Sequence, residues 1–545
     1  MGTILKPTVT MRFSLLVSAS VFFASCVFAG RGDGQHHADD FQSICSSIAS
    51  KLKIANATVY FSQFMEAGTN LSLADQDASC GSNEQPFQII SADACRVALY
   101  VTTSNRSGIH MEAWLPKNWT GRFLSTGNGG LEGCIQYEDM AYAAGLGFAT
   151  VGANNGHNGT SGEAFYNNPE IVADFSYRSV RTGVIVGKQI SKAFYRKEHK
   201  KSYYLGCSTG GREGFKQAQD APELFDGIVA GAPALAFNNL TSWSGHFYTL
   251  TGNSSSPNFV PANIWPVIHQ DILRQCDALD HYVDGILEDP SLCNYTSKEL
   301  LCGSTSNATC LTPAQSLTVD KIFQPLKGLN GSLVYPRMQP GSETLASFLL
   351  YNGSPFPYTT DWFRYAIYND PNWDPTTLNA HDYANAANIN PSNVETWKGD
   401  LSGVKKRGAK ILHYHGLMDG SISSENSARY YEHVSKTMNK SPNELDSFYR
   451  YFRISGLSHC VGGDGAWNIG QNIGAASLDP QQNVLMAVVK WVEEGVAPDT
   501  ITGTKFVNDT QSLGVAYQRN HCRYPKRNVY RGVGDATKPG SWKCV

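Results

Sequence analysis

The chain has 545 residues, of which 17% are charged, and its formal net charge is −3. It is longer than the roughly 250–300 residues at which a single hydrophobic core stops growing, so we expect two domains or one domain with a large insertion. It has no basic block and no acidic tail, which gives no electrostatic reason to expect nucleic acid as a partner.

The N-terminus has the organisation of a secretion signal. Lys6 and Arg12 supply positive charge, residues 13–28 form an apolar run, and a site for signal peptidase ends at Ala29. A membrane anchor is the alternative, but the run is short for a membrane span and a charged, polar stretch follows at once. We therefore expect residues 1–29 to be removed and the protein to be secreted, with no membrane partner.

Cysteine and sequon usage agree with export. After Cys26 leaves with the signal, twelve of the 13 cysteines remain, and an even number in an exported chain implies disulfides. No pair has zinc-site spacing. Twelve Asn-x-Ser/Thr sequons, Asn56 and Asn508 among them, predict N-glycosylation, and a thirteenth at Asn439 is weakened by Pro442.

Short apolar strands alternate with helical segments on either side of a loop-rich middle segment. This alternation predicts a parallel sheet with helices on both faces. The predicted strands are 122–126, 147–152, 202–205, 227–231, 410–414 and 448–454, and the predicted helices are 180–194, 212–219, 427–438 and 484–494. We therefore predict a catalytic domain of residues 30–237 and 405–545, interrupted by a lid domain of residues 238–404.

A glycine-rich loop, Gly127-Asn128-Gly129-Gly130, follows the first of these strands. Such a loop lets the backbone approach a substrate closely, so Gly129 and Gly130 are candidates for a second amide donor to an oxyanion. A simple turn is the alternative. The loop is a poor phosphate site, because the Lys-Ser/Thr pair of a P-loop is missing.

The sequence Gly206-Cys207-Ser208-Thr209-Gly210 matches G-x-S-x-G and lies between a predicted strand and a predicted helix. There the glycines permit a sharp turn that exposes the Ser208 hydroxyl as a nucleophile, and the Thr209 amide can donate to an oxyanion. A chance glycine-rich turn is the alternative, but the strand–turn–helix context favours a nucleophile.

A serine nucleophile needs a base and a carboxylate that orients the base, in the order Ser, Asp or Glu, His. Asp419 and His459 each follow a predicted strand and keep this order. Asp419 could instead be an ordinary turn residue. His413 and His415 are competing histidines, but they precede Asp419, so we interpret them as structural.

Two cysteines adjoin the proposed catalytic residues. Cys207 precedes Ser208, and Cys460 follows His459. A disulfide would bring their Cα atoms to about 5.5 Å and would place Ser208 beside His459. Each cysteine could pair elsewhere, but no other pairing explains both positions.

Together these motifs resemble the fungal tannase and feruloyl esterase family, and within it the feruloyl (cinnamoyl) esterase B group. The resemblance covers essentially the whole mature chain. It rests on these landmarks: Gly121-Arg-Phe-Leu-Ser-Thr-Gly-Asn-Gly-Gly, Ala173-Asp-Phe-Ser-Tyr-Arg-Ser-Val, Gly206-Cys-Ser-Thr-Gly-Gly-Arg, Ser458-His-Cys and Cys522-Arg-Tyr-Pro-Lys. It implies an α/β-hydrolase fold with a doubly wound sheet and a lid. It also implies six disulfides: Cys207–Cys460, Cys45–Cys95, Cys80–Cys134, Cys276–Cys293, Cys302–Cys310 and Cys522–Cys544.

The resemblance further implies a structural calcium ion in the lid. The expected ligands are the carboxylates of Asp277, Asp280 and Asp284 and the backbone carbonyls of Tyr282 and Ile286. Three acidic residues in a short loop suit a hard cation that takes oxygen ligands, although the spacing is not that of an EF-hand. A solvated acidic loop is the alternative.

The expected activity is hydrolysis of feruloyl, p-coumaroyl or caffeoyl esters of plant cell-wall polysaccharides through an acyl-enzyme. Tannase activity on galloyl esters is the alternative, because the same triad would serve both. A catalytically inactive binding module on the same fold is a third possibility, against which the intact triad argues. No organic cofactor is expected.

Overall fold

The structure is a computed structural model that describes residues 33–80, 87–303, 309–472 and 477–545. The predicted signal peptide lies outside these residues. No helix in the described part of the chain is both long and apolar enough to cross a membrane. From Gln42 onwards the chain forms one compact unit.

In the part of the chain that the structure describes, nine strands form one central sheet. In chain order they are β1 (Ala57–Met65), β2 (Ala94–Thr102), β3 (Gly108–Pro116), β4 (Arg122–Thr126), β5 (Phe148–Ala153), β6 (Lys201–Cys207), β7 (Gly227–Gly231), β8 (Lys410–Gly416) and β9 (Tyr449–Ile454). Their order across the sheet is β1-β2-β3-β5-β4-β6-β7-β8-β9. Strands β4 to β9 are parallel, whereas β1 to β3 extend one edge in antiparallel pairing.

The predicted parallel sheet is confirmed for β4 to β9, and each of these strands lies within two residues of its predicted bounds. The antiparallel edge was not predicted. In the described residues no α-helix lies between these strands, so they lack the alternation that identified the other six. The fold is thus an α/β-hydrolase sheet of mixed direction.

Helices cover the sheet and build the segment between β7 and β8, residues 232–409, which we call the inserted segment. The described α-helices are Asp33–Lys51, Tyr137–Gly145, Pro169–Ala173, Ser179–Tyr195, Thr209–Asp220, Phe237–Thr251, Trp265–Cys276, Pro313–Ile322, Glu343–Leu349, Pro357–Asp361, Ala380–Ile389, Ser402–Arg407, Ser424–Met438, Pro442–Leu445 and Val484–Glu494. Among the described residues, two-stranded ribbons also lie outside the main sheet: Asn70–Ser72 with Phe87–Ile89, Leu326–Lys327 with Leu333–Tyr335, Thr500–Phe506 with Val515–Cys522, and Asn528–Tyr530 with Trp542–Cys544.

The described residues of the segment between β7 and β8 contribute no strand to the central sheet. It has an aromatic core of its own, in which Trp243, Trp265 and Trp362 are almost completely buried. Trp362 also packs edge-on against Phe165, which precedes β6 in the chain, so this core continues into the helices beside the sheet. The predicted lid boundaries at 237/238 and 404/405 stay a prediction.

All six predicted disulfides are present. Four of them close loops of local or intermediate length near the N-terminus and in the inserted segment. Cys522–Cys544 joins the two ribbons at the C-terminus. The bond Cys207–Cys460 has a sequence separation of 253 residues and joins the end of β6 to the loop that follows β9.

Candidate active site

Ser208 occupies a sharp turn between β6 and the helix Thr209–Asp220. Its φ is +62° and its ψ is −124°, a conformation that costs a residue with a side chain about 1–3 kcal/mol. A Cβ at Gly206 would lie 2.8 Å from the Gly210 backbone, and a Cβ at Gly210 would lie 2.9 Å from the Asn128 carbonyl oxygen. Only glycine fits at positions 206 and 210, so the two glycines of the G-x-S-x-G pattern permit the sharp turn that the sequence predicted.

Ser208, His459 and Asp419 form a continuous hydrogen-bonded row. Ser208 Oγ lies 3.0 Å from His459 Nε2, and His459 Nδ1 lies 2.7 Å from Asp419 Oδ2. Asp419 Oδ1 accepts hydrogen bonds from the backbone amides of Ser421 at 2.8 Å and Ile422 at 2.9 Å. The carboxylate is therefore fixed at both oxygens, and the imidazole is aimed at the serine.

The charges in this row suit a general base. Burial alone would raise the pKa of Asp419, but the His459 charge and the hydrogen bonds from His415 and His459 hold it well below its usual range. Burial would lower the pKa of His459, and the Asp419 carboxylate outweighs this and raises it. Asp419 is thus ionised and His459 is more basic than a free imidazole.

The bond Cys207–Cys460 joins the residues next to Ser208 and His459, and its Cα–Cα distance is 6.1 Å. Cys460 has a φ of +64°, so the loop after His459 turns back sharply at the bonded residue. The bond ties the end of β6 to the loop after β9, a strand that is not its neighbour in the sheet. It therefore constrains the distance between the serine and the histidine directly.

The glycine loop after β4 lies against the start of the helix that follows Ser208. Thr209 Oγ1 donates a hydrogen bond of 2.6 Å to the Gly130 carbonyl oxygen. The Thr209 amide is the first of its helix and has no intrahelical acceptor. This pairing brings the Thr209 and Gly130 backbones together beside Ser208, as an oxyanion site requires.

Gly129 differs from the expectation. Its amide donates a hydrogen bond of 2.7 Å to Glu132 Oε1, so in this conformation it is not free to bind an oxyanion. Glu132 Oε1 also accepts from Gln136 Nε2 at 2.5 Å, and burial raises the pKa of Glu132. The side chain that takes this amide is three residues away, and the glycine pattern carries no signal of it.

Two buried charged residues, Arg212 and Glu213, support the glycine loop, and the sequence analysis did not identify them. Glu213 Oε2 accepts the Asn128 amide at 3.0 Å, and burial raises the pKa of Glu213 to about 7 against the opposing effect of Arg212. Arg212 donates to the carbonyl oxygens of Ser176 at 2.8 Å and Phe175 at 3.0 Å. The signal for them in the sequence was Arg212-Glu213 between two glycines in the first turn and a half of the helix after the nucleophile, which places two charges on a helix that packs against the sheet.

A cavity of about 780 Å³ opens over Ser208. One wall comes from the inserted segment and is mostly apolar, with Thr241, Ser244 and Asn352 as its polar members. The other wall carries polar groups next to the glycine loop. The apolar lining comprises Phe237, Leu240, Phe348, Leu349, Phe356 and Tyr358, and the polar lining includes Glu132, Gln136, Glu138 and Asp139. The cavity is large enough for an aromatic acyl group together with part of a polar alcohol.

The predicted calcium loop holds buried carboxylates that lack partners. Asp277 Oδ1 and Asp280 Oδ2 are buried without a hydrogen bond. Burial, followed by the charges of Glu288, Asp284 and Asp277, raises the pKa of Asp280 to about 7. A cation would correct both features, so these two side chains fit the predicted ion.

The third carboxylate of the loop is engaged differently. Asp284 Oδ2 pairs with Arg519 Nη2 at 2.8 Å, and Asp284 Oδ1 accepts from the Ile286 amide at 3.2 Å. No group of three or more His, Cys, Asp or Glu side chains in the described ranges is arranged to hold a metal. Tyr282 and Ile286 would contribute backbone carbonyls only, and the Tyr282 ring packs against Tyr530.

The chain matches known proteins along almost its whole length. The model of the family described as tannase and feruloyl esterase matches residues 95–545. A probable feruloyl esterase B-2 of Aspergillus oryzae is 56% identical over 509 residues, which cover 93% of this chain and 96% of that protein.

Two solved structures are similar to this fold. Feruloyl esterase B from Aspergillus oryzae has a TM-score of 0.90 at 53% identity, covering 93% of this chain and all of that one. A tannin acyl hydrolase from Aspergillus niger has a TM-score of 0.71 at 22% identity, covering 92% of this chain and 95% of that one. The second likeness shows the fold alone.

Proposed function

Because the chain belongs to the tannase and feruloyl esterase family, we propose that it is a secreted serine feruloyl esterase acting on hydroxycinnamoyl esters of plant cell-wall polysaccharides. One observation carries the proposal. Ser208, His459 and Asp419 form an unbroken hydrogen-bonded row at the base of a cavity with an apolar wall. The relatives that match over almost the full chain are named as feruloyl esterases.

The geometry supports an acyl-enzyme mechanism. Ser208 Oγ attacks the ester carbonyl carbon while His459 Nε2 takes the hydroxyl proton, and the ionised Asp419 stabilises the imidazolium that forms. The amides of Thr209 and Gly130 stabilise the oxyanion of the tetrahedral intermediate. His459 then gives its proton to the departing sugar oxygen, and water hydrolyses the acyl-enzyme in a second round of the same steps.

The cavity lining favours a hydroxycinnamoyl group over a galloyl group. The rings of Phe237, Phe348 and Phe356 can pack against a propenoyl-phenyl unit, which carries few polar atoms. A galloyl ring has three hydroxyls, each of which needs a partner when it is buried. We assign the polar wall next to Glu132 to the alcohol part of the substrate, because carboxylates accept hydrogen bonds from sugar hydroxyls.

The substrate assignment is tested by comparing kcat/KM on methyl ferulate, methyl p-coumarate and methyl caffeate with that on methyl gallate. We expect at least about a tenfold preference for the hydroxycinnamates, which is about 1.4 kcal/mol of differential binding to the transition state. A preference for methyl gallate would replace the assignment by tannase activity. Turnover of none of the four esters would favour a binding module.

We also propose that Asp277 and Asp280 hold a calcium ion with a structural role, completed by Asp284 and by the carbonyls of Tyr282 and Ile286. The unpartnered oxygens of the first two carboxylates support this. A bound calcium ion would supply positive charge that neutralises the crowded carboxylates. Ile286 lies against the loop that leads to His459, since a Cβ at Gly456 would be 3.3 Å from Ile286 Cδ1.

Secretion and N-glycosylation are part of the proposal. The signal peptide falls outside the described residues, and six disulfides suit an oxidising compartment. The sequon residues Asn294 and Asn508 are exposed, as glycan attachment requires. The mass of the secreted protein before and after enzymatic deglycosylation would test both points.

A further inference from the structure

Behind Asp419 lies a row of buried polar side chains that the proposed mechanism does not use. Tyr449, His413, Ser427 and His415, which we name the histidine network, are at most 1% exposed. Tyr449 Oη lies 2.9 Å from His413 Nδ1, and His413 Nε2 lies 2.9 Å from Ser427 Oγ. Ser427 Oγ lies 2.7 Å from His415 Nδ1. The network ends at Asp419, whose Oδ2 lies 3.1 Å from His415 Nε2.

The backbone explains why these groups meet. His413 and His415 are two residues apart on β8, so their side chains point to the same face of the sheet. That face is covered by the helix Ser424–Met438, which supplies Ser427 between the two rings. Tyr449 comes from the neighbouring strand β9.

The hydrogen positions follow from counting donors and acceptors. Asp419 is ionised and can only accept, and the other neighbour of His415 Nε2 is the Ile422 carbonyl oxygen at 3.2 Å. His415 Nε2 therefore carries a proton. With His415 neutral, its Nδ1 accepts from the Ser427 hydroxyl, and we describe the network in this arrangement.

The rest of the network then has one consistent direction. Since the single proton of Ser427 goes to His415, Ser427 Oγ accepts from His413 Nε2–H. Burial lowers the pKa of His413 well below its usual value and keeps this ring neutral. His413 Nδ1 consequently accepts from the Tyr449 hydroxyl. Every donor in the network points towards Asp419, and donors aligned in this way strengthen one another.

We propose that His415 is a positioning residue of the ester hydrolysis, whose Nε2–H shares Asp419 Oδ2 with His459 and limits how strongly this oxygen holds the His459 imidazolium. The inference rests on the proposed serine esterase function. It assigns a role to a histidine that sequence order alone marks as structural. The consequence is that the network sets the acid limit of activity, because only neutral His459 can take the serine proton.

The direction of the effect follows from the neighbours of each group. Asp419 faces His415 and His459 at Oδ2 and the amides of Ser421 and Ile422 at Oδ1. The backbone amides keep the carboxylate in place when His415 is removed. Oδ2 would then serve His459 alone, so the His459 imidazolium would be held more tightly and its pKa would rise.

Other titratable groups do not change this direction. The charge of Asp419 raises the pKa of His459. The titratable groups that face His415 are His413 and Asp419. Tyr335 on the inserted segment also lies near Asp419, but burial raises the pKa of its hydroxyl far above the working range. It stays neutral throughout.

The test compares two substitutions at position 415. His415→Leu removes the donor, whereas His415→Gln places a side-chain N–H near the position of Nε2. We expect the acid limb of kcat/KM on methyl ferulate to move up by about half to one pH unit in His415→Leu, a loss of about three- to tenfold on the acid side. The plateau kcat and KM should stay within about threefold of wild type, and His415→Gln should keep the wild-type acid limb.

Two further variants guard against a purely structural effect. His521 is equally buried and lies 2.9 Å from the Ala466 carbonyl oxygen, so His521→Leu should lower the melting temperature without moving the acid limb. Ser427→Ala removes the hydroxyl that polarises His415 and should shift the limb in the same direction by less. This variant decides the matter if His415→Leu does not fold.

If His415→Leu folds and its acid limb is unchanged, the proposal is wrong. If His415→Leu does not fold, an unchanged acid limb in Ser427→Ala has the same consequence. An equal shift in His415→Gln and His415→Leu also overturns the proposal, because the N–H would then be irrelevant. The proposed function is judged separately by the wild-type protein. If wild type hydrolyses none of the esters, the function fails before the network is tested.

Discussion

Thr209 holds the glycine loop through its side chain, since its hydroxyl donates to the Gly130 carbonyl oxygen at 2.6 Å. In the proposed mechanism the residue that follows the nucleophile therefore has two roles: its amide binds the oxyanion, and its hydroxyl holds the loop that supplies the second amide. Gly130 has a φ of +44°, and a Cβ there would lie 2.5 Å from the Tyr358 hydroxyl of the inserted segment. The loop is therefore fixed from both sides.

Thr209→Val should lower kcat by about tenfold and leave KM little changed. The substitution keeps the amide and the shape but removes the hydroxyl, so the Gly130 amide is no longer held at its distance from the oxyanion. A misplacement of about 1 Å can cost up to a hundredfold in rate. Thr209→Ser is the matched control and should retain most of the activity on methyl ferulate. Equal kcat values for the Val and Ser variants would show that the bond has no catalytic role.

Ser208→Ala should abolish turnover while the protein remains folded. Loss of a serine nucleophile typically removes several orders of magnitude of kcat. The substitution removes no contact from the hydrophobic core, because the Ser208 hydroxyl points to His459 at the base of the cavity. The measurements are kcat, the melting temperature and the affinity for methyl ferulate. A variant that keeps a large part of the wild-type kcat would assign the nucleophile to another residue.

Activity should fall as the pH falls through the raised pKa of His459. Only the neutral imidazole accepts the serine proton, and the Asp419 carboxylate stabilises the charged form that cannot. The acid limb of kcat/KM should therefore lie above the ordinary imidazole value of about 6.5. Asp419→Asn removes the charge and should lower kcat by roughly 10⁴-fold. An acid limb below that of a free imidazole would contradict the assigned pair.

The sequence predicts those parts of the site that one local pattern determines. Ser208 was identified because Gly206 and Gly210 fit only a sharp turn between a strand and a helix. The pairing of Cys207 with Cys460 was foreseen because each adjoins a proposed catalytic residue. These features depend on neighbours in the chain or on chemistry that requires a particular residue type.

The remaining parts depend on contacts between distant segments. The antiparallel strands β1 to β3 lack the helix alternation of a parallel sheet. The bond from the Gly129 amide to Glu132 depends on how one loop closes. His415 was interpreted as structural because order along the chain does not show that its ring meets the same oxygen as His459.

Chelation should lower the melting temperature while activity well below it changes little. The acidic loop has two buried carboxylates without partners, so loss of a cation leaves like charges close together. Asp280→Asn removes one of these charges and should make the melting temperature less sensitive to chelator. The check is thermal unfolding with and without EGTA, followed by calcium readdition. Immediate loss of kcat, restored by zinc but not by calcium, would rule out a structural calcium site.

The bond Cys207–Cys460 should matter for activity beyond its effect on stability. It joins the residues next to Ser208 and His459 across 253 positions, so its removal frees the distance between nucleophile and base. The bond should also stabilise the fold by a few kcal/mol, because it closes a long loop in the unfolded chain. We expect the double variant Cys207→Ala and Cys460→Ala to lose kcat by about tenfold or more per folded molecule.

The matched control is the double variant Cys522→Ala and Cys544→Ala. This bond has a separation of 22 residues, and Cys522 and Cys544 lie in two ribbons outside the main sheet. Its removal should lower the melting temperature without changing kcat per folded molecule. The comparison is made well below both melting temperatures, with the folded fraction measured by circular dichroism. Near-normal kcat in folded Cys207/Cys460 protein would mean that the strands, rather than the disulfide, set the Ser208–His459 distance.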